Sequence, residues 1–235
     1  MPRTAVMSRA WMRQGTEVFL SAAAGLRDDE LTEPSALPGW TRRHLLAHVG
    51  FNARALQRLA AWARTGEPQP MYGSAEQRTT EIAEGATWDG PRLRAFVRET
   101  AAGLEADLDA LDERQWNASV VTAQGRTVPA VEIPWLRTRE VAVHAVDLRG
   151  SVSFDALPVE VLEAIIDDVA AHRSSRRRDP PIALRSTTGG TWAIETGADP
   201  VPVTGSPAQL ARWLTGRGAG DLPGADRLPA LTPWL

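Results

Sequence analysis

The sequence predicts an α+β chain in which an all-helical bundle, residues 1–152, precedes a small α/β-type domain, residues 153–235. Three observations predict it. Four long stretches before Gly150 repeat apolar residues at helical spacing, separated by proline, glycine and capping residues. After RSSRRRDPP the period changes to alternation in IALRST, TWAIET and PVPVT, the pattern of half-buried strands. A chain of 235 residues with 43% hydrophobic content and nine tryptophans is long and apolar enough for two cores.

The first helix covers about residues 4–26, and RDDELTEPSALPGW then reads as a polar, proline-marked connection. Thr41 is a candidate N-cap for a second helix that runs to about Arg64, where Gly66 and Pro68 end it. Residues 70–90 are mixed and carry no clear period. Pro91 fits a first helical turn and opens a third helix to about Arg114. The segment TAQGRTVPAVEIP reads as turns around Gly125 and Pro129, and a fourth helix follows from about Pro134 to Gly150. Four helices with modest connections form an antiparallel bundle, a fold that builds metal sites from inward-facing side chains. A fifth helix, about 158–173, leads into the basic break; a Gly-Gly turn sets a hairpin, and SPAQLARWLTGRG is a capped helix ending in glycine.

Composition excludes several functions. A net charge of −3 and a pI near 5.9 give no basic footprint for nucleic acid. No run approaches the roughly 20 apolar residues of a membrane span, and the first residues lack a signal-peptide core, so a soluble, cytoplasmic protein is expected. Cysteine is absent, so any thiol chemistry requires an external thiol. All 26 basic residues are arginine, which removes Schiff-base and P-loop lysine chemistry.

The four histidines are His44, His48, His144 and His172. On a wheel of about 100° per residue with Glu140 at zero, His144 falls at about 40°, Leu148 at about 80°, Val141 at about 100° and Leu136 at about 320°. Glu140 and His144 thus sit within an apolar stripe. A carboxylate placed in a core is costly unless a cation meets it, and that cation is a metal or an arginine. On the second helix His48 borders the stripe of Leu45, Val49, Leu56 and Leu59. His48, Glu140 and His144 together make a two-histidine, one-carboxylate set that suits zinc and leaves a position open for water or substrate. Plainer roles exist for each: His48 as a hydrogen-bonded core histidine, Glu140 and His144 as a simple i,i+4 pair, and the Arg176–Arg178 run as a solvated linker. His44 is an alternative ligand or a supporting residue.

The segments LPGWTRRHLLAHVGFNARAL, RTGEPQPMY, TAQGRTVPAVEIPWLRTREVAVHAVDL and LTGRG resemble the mycothiol-dependent maleylpyruvate isomerases. That resemblance implies a DinB-like four-helix bundle with a small α/β C-terminal domain, and zinc on His48, Glu140 and His144, which leaves His44 a supporting role. It also implies two arginines near the cleft: Arg217, from the GRG element, and Arg78. Mycothiol would be the external thiol and a dicarboxylate the substrate. Isomerising a cis double bond conjugated to a carbonyl requires a transient single bond, which reversible thiolate addition provides. Zinc would favour the thiolate, and guanidinium groups would bind the carboxylates of maleylpyruvate as it becomes fumarylpyruvate. Two other readings fit the same residues: a mycothiol S-transferase acting on another electrophile, and a non-catalytic helical module in which the metal ties two helices together.

Overall fold

The computed structural model describes residues 4–234, and the chain divides into one compact unit ending at Val152 and a second beginning at Ser153. In the first unit Thr4 caps α1 (Ala5–Ala24), accepting from the Met7 amide at 3.2 Å. The second helix, α2 (Arg42–Thr65), ends at Gly66, whose φ of 80° is the left-handed conformation glycine adopts without strain. Ser74 caps α3 (Ala75–Gly85), and Asp89 caps α4 (Gly90–Asp109), which has a proline in its first turn. A short α5 (Glu113–Trp116), a hairpin of β1 (Ser119–Val121) and β2 (Thr127–Pro129), and α6 (Ile133–Asp147) complete the unit. α1 packs chiefly on α6 and α2 on α4, and the two pairs meet where α2 touches α6. α1, α2, α4 and α6 are the four helices of the bundle.

Three local differences from the sequence expectation have identifiable causes. Residues 70–90 contain α3, whose charged sequence EQRTTEI offers few apolar positions; Ile82 is its buried anchor. The third predicted helix stops at Asp109 rather than near Arg114, because Asp112 and Gln115 form a capping box that starts α5 afresh. TAQGRTVPA is a β-hairpin rather than plain turns, with Val120 paired to Val128 and Gly125 at a φ of 76° in the loop.

The core of this unit has two apolar clusters. Met12, Leu56, Leu59, Leu104, Leu108 and Ile133 fill one; Phe19, Leu45, Val49, Phe96, Val97 and Val141 fill the other. Between them along each helix stand residues that are polar or lack a side chain: Gly15 in α1, Asn52 in α2, Thr100 in α4, and Arg137 with Glu140 in α6. Arg42, buried in the first turn of α2, ties that end to the end of α6. Its Nε donates to the Leu148 carbonyl at 2.6 Å and its Nη2 to the Arg149 carbonyl at 3.0 Å, satisfying acceptors that a helix end leaves unpaired.

The second unit holds α7 (Val159–Arg176), a three-stranded sheet and α8 (Pro207–Leu214). The strands β3 (Ile182–Ser186), β4 (Thr191–Ile194) and β5 (Val201–Gly205) lie in the order β4-β3-β5. The β3–β4 pair is the antiparallel hairpin read from the Gly-Gly turn, while β5 runs parallel to β3. Arg173 is the fixed point beneath: it donates to Asp179 at 2.7 Å and to the Thr232 and Leu214 carbonyls. Among the described residues no helix is long and apolar enough to cross a membrane.

At Gly50 α2 lies so close to α4 that a Cβ there would overlap the buried Phe96 ring. Gly50→Ala should therefore cost about 1–3 kcal/mol through overpacking. An unchanged urea midpoint for that variant would mean the helices do not meet this tightly.

Candidate metal centre

α2 and α6 carry the chemistry. His48 Nε2 lies 3.0 Å from Glu140 Oε2, and His144 Nε2 lies 3.3 Å from the same oxygen. The three donor atoms all fall within 4.8 Å of one another. Donors on a tetrahedral zinc at about 2.0–2.1 Å stand about 3.3 Å apart, so these separations already approximate a coordination shell. The Glu140 side chain keeps 21% of its exposure, against 6% for His48, so the cluster is open on one side.

Each donor is set by its surroundings. His144 Nδ1 bonds the fully buried Asp147 carboxylate at 2.8 Å, which fixes the ring and points Nε2 toward Glu140. Around His48 the rings of Trp40 and His144 approach edge-on, at 5.4 and 5.0 Å between centroids. Burial pushes the His48 pKa down, outweighing the Glu140 carboxylate, so this imidazole is neutral and able to ligate near neutral pH. Burial likewise opposes charge on His144, but hydrogen bonds to Asp147 and Glu140 prevail and hold its pKa above the ordinary value. For Glu140, burial favours the neutral acid, yet hydrogen bonds from His144 and His48 overcome it and hold the carboxyl well below its usual range.

Arg78 of α3 completes the rim, with Nη2 3.3 Å from His48 Nδ1 and its guanidinium 5.8 Å from the Tyr72 ring centre. His44 does not join the cluster. Its Nδ1 accepts from the Thr41 amide at 3.3 Å, one half of a capping box that starts α2. His172, on α7, is half-buried in the second unit. Arg217 also belongs to the second unit, in the loop after α8, where its Nη1 donates to the Thr215 carbonyl at 2.6 Å.

Two groups at the centre escaped the sequence reading. Arg137 is 1% exposed and sits one turn before Glu140; its Nη1 donates to the Val49 carbonyl at 2.7 Å and to Asn52 Oδ1 at 3.0 Å. It thus bridges α6 to α2 beside His48. Its Nε and Nη2 have no partner among the described residues. Burial lowers its pKa to about 10, with Glu140 and Tyr72 opposing the fall, so it remains a cation at neutral pH. Asp147 is the other. The wheel that selected His144 puts Arg137 at about 60° and Asp147 at about 340°, inside the same stripe, so a search for every polar residue on that stripe finds both.

Fold and site together define a four-helix bundle with a His–Glu–His cluster between two of its helices and a small α+β unit appended. Residues 12–149 match the family model of the mycothiol maleylpyruvate isomerase N-terminal domain. A crystal structure of the mycothiol-dependent maleylpyruvate isomerase is similar at a TM-score of 0.94 and 35% identity, covering 99% of this chain and 98% of that one. A histidine-to-alanine variant of that enzyme is similar at a TM-score of 0.93 with the same identity and coverage. The chain belongs to the mycothiol-dependent maleylpyruvate isomerase family. YfiT from Bacillus subtilis, described as a probable metal-dependent hydrolase with an unusual four-helix bundle topology, is similar at a TM-score of 0.53 and 18% identity. It covers 63% of this chain and 89% of that one, a likeness of fold alone. No curated protein matches the chain.

Asp147→Asn should weaken metal binding by about 10–100-fold, because the amide cannot support His144 as the carboxylate does. A dissociation constant equal to that of the unaltered protein would remove Asp147 from the centre. Since a proton on His144 competes with a metal and this group titrates above its ordinary range, affinity should rise with pH across neutrality. Affinity that stays flat there would show that His144 is not a ligand.

Proposed function

We propose that this chain is a zinc-dependent isomerase that uses mycothiol to convert maleylpyruvate to fumarylpyruvate. The observation that carries the reading is the full-length likeness to the mycothiol-dependent maleylpyruvate isomerase, at 35% identity over 99% of the chain. The donor set supports it independently: two imidazole nitrogens and one carboxylate at zinc-like spacing, open on one side, in a chain with no cysteine. Zinc held there supplies the Lewis acidity that keeps a thiol ionised near neutral pH, and mycothiol supplies the nucleophile that the chain lacks.

The residues then divide the work. His48, Glu140 and His144 hold the ion, and Asp147 holds His144 in the tautomer that presents Nε2. Ligation through His48 Nε2 leaves that ring's hydrogen on Nδ1, so the Arg78 guanidinium would turn from His48 toward an anionic ligand. Arg137 adds a positive charge that solvent cannot screen. With a divalent ion, Arg78 and Arg137 set against Glu140 and Asp147, the centre is net positive, which favours a thiolate and a dicarboxylate over neutral ligands. Arg78 and Arg217 are assigned to the substrate carboxylates and to the enolate that forms as the double bond opens, a task suited to the bidentate guanidinium.

Purified protein loaded with zinc should isomerise maleylpyruvate only when mycothiol is added. Equal turnover without the thiol would defeat the proposal, and accumulation of a thiol conjugate in place of fumarylpyruvate would make the protein an S-transferase. Arg217→Ala should keep its zinc but lose roughly 10²-fold in rate; an unaltered rate would take Arg217 out of the reaction.

A further inference from the structure

Tyr72, the chain's one tyrosine, stands beside the centre and has no part in the reaction outlined above. It lies in the connection from α2 to α3, half-buried, and its neighbour Met71 pins the backbone there. The Met71 carbonyl accepts from Arg58 Nη1 at 2.6 Å, and its sulfur accepts from the Ala123 amide at 3.2 Å. The Tyr72 ring centre is 5.8 Å from the Arg78 guanidinium, which in turn reaches to 3.3 Å from His48 Nδ1. The hydroxyl is within hydrogen-bonding reach of Arg78 and close enough to Glu140 and Arg137 to interact with both charges, so the polar end of the side chain faces the cluster. A guanidinium can only donate; toward Arg78 the phenol oxygen therefore accepts, and its own hydrogen is left for another acceptor. Tyr72 and Arg78 line one cavity, of about 590 Å³, so this side of the phenol is open to a ligand.

We propose that the Tyr72 hydroxyl is a catalytic hydrogen-bond donor to the substrate's ketone oxygen, stabilising the enolate that forms there while the carbon–carbon bond turns. The inference rests on the isomerase reading given above and deepens it. Thiolate addition at the alkene carbon β to the ketone places the sulfur's electron pair in a new carbon–sulfur bond and shifts the alkene pair through the carbonyl carbon, leaving the charge on the ketone oxygen. After rotation that charge returns, the double bond re-forms and the carbon–sulfur bond breaks. No proton is consumed, and Tyr72 keeps its own throughout. The two carboxylates of maleylpyruvate are charged before, during and after the reaction, so guanidiniums that hold them bind ground state and transition state alike. Charge develops at the ketone oxygen, and a donor aimed there acts on the transition state. Burial, and after it the Glu140 charge, raise the Tyr72 pKa against the pull of Arg78, which keeps the phenol protonated and able to donate. Arg78, donating to the phenol oxygen, polarises the O–H and strengthens it as a donor.

Kinetics and calorimetry on the zinc-loaded full-length protein test it. Tyr72→Phe keeps the ring and removes the hydroxyl; its kcat for maleylpyruvate should fall about 10²-fold, with zinc content unchanged and the KM for mycothiol within about twofold. Because the chain has one tyrosine, growth on meta-fluorotyrosine alters this position alone, and that protein, which keeps the O–H, should retain the turnover that phenylalanine loses. Acetylpyruvate carries the diketo half of the substrate without its double bond and presents an enolate; in a calorimeter it should bind the unaltered protein about tenfold more tightly than Tyr72→Phe. An unchanged kcat in the phenylalanine variant would overturn the proposal, as would a defect confined to the KM for mycothiol, or equal binding of acetylpyruvate. Calorimetry needs no turnover. A protein that binds acetylpyruvate through Tyr72 but does not isomerise maleylpyruvate would keep the phenol as an enolate donor while refuting the isomerase reading; an active isomerase indifferent to Tyr72→Phe would do the reverse.

Discussion

A carboxylate sunk between two helices governs this structure. Glu140 sits where the apolar stripe of α6 faces α2, and an ionised group in that position is costly unless opposite charge and hydrogen-bond donors surround it. His48 and His144 provide two contacts to one of its oxygens. Arg137 provides a buried cation from the preceding turn, and that cation requires acceptors of its own, which the Val49 carbonyl and Asn52 supply from α2. Each compensation therefore ties α6 more firmly to α2. The register of the two helices is fixed by polar geometry, between apolar clusters that could tolerate some sliding. Arg42 at the far end holds the same pair in place, and Gly50 sets the approach of α2 to α4.

That arrangement offers a metal ion three donors already gathered within 4.8 Å of one another. On the proposed reading, two imidazole ligands and a carboxylate would leave a bound dication with surplus positive charge, and Arg137 and Arg78 would add to it. Such a field would lower the energy of an ionised thiol and of a dianionic substrate together, which a thiol-assisted isomerisation needs. The absence of cysteine is consistent with this division: the protein holds and polarises, and the reacting sulfur arrives from outside.

Much of this was legible in the sequence because it depends on helical period. The helices carrying the candidate ligands are legible from their stripes, and His48, Glu140 and His144 stand out as polar on an apolar face, a cluster the fold brings together. Asp147 and Arg137 lie on the same stripe, but their roles depend on contacts that helical period does not give: Asp147 on His144 Nδ1, and Arg137 on Val49 and Asn52 of α2. α3 was missed for a different reason. EQRTTEI buries little beyond Ile82, so its helicity comes from the Ser74 cap and from tertiary contact rather than from periodicity. The β1–β2 hairpin is too short for alternation to register, and its pairing is visible only when Val120 meets Val128. The parallel alignment of β5 on β3 is likewise set by packing, since alternation marks a strand without giving its direction.

The central claim is that His48, Glu140 and His144 hold one divalent ion with a position left for a thiol. Cobalt(II) substituted for zinc tests it most directly, because its visible spectrum reports coordination geometry and its near-ultraviolet bands report bound sulfur. One equivalent of cobalt should give intense four-coordinate bands, mycothiol should add a sulfur-to-cobalt charge-transfer band, and Glu140→Gln should abolish both. A weak octahedral spectrum that neither mycothiol nor that substitution alters would contradict the account.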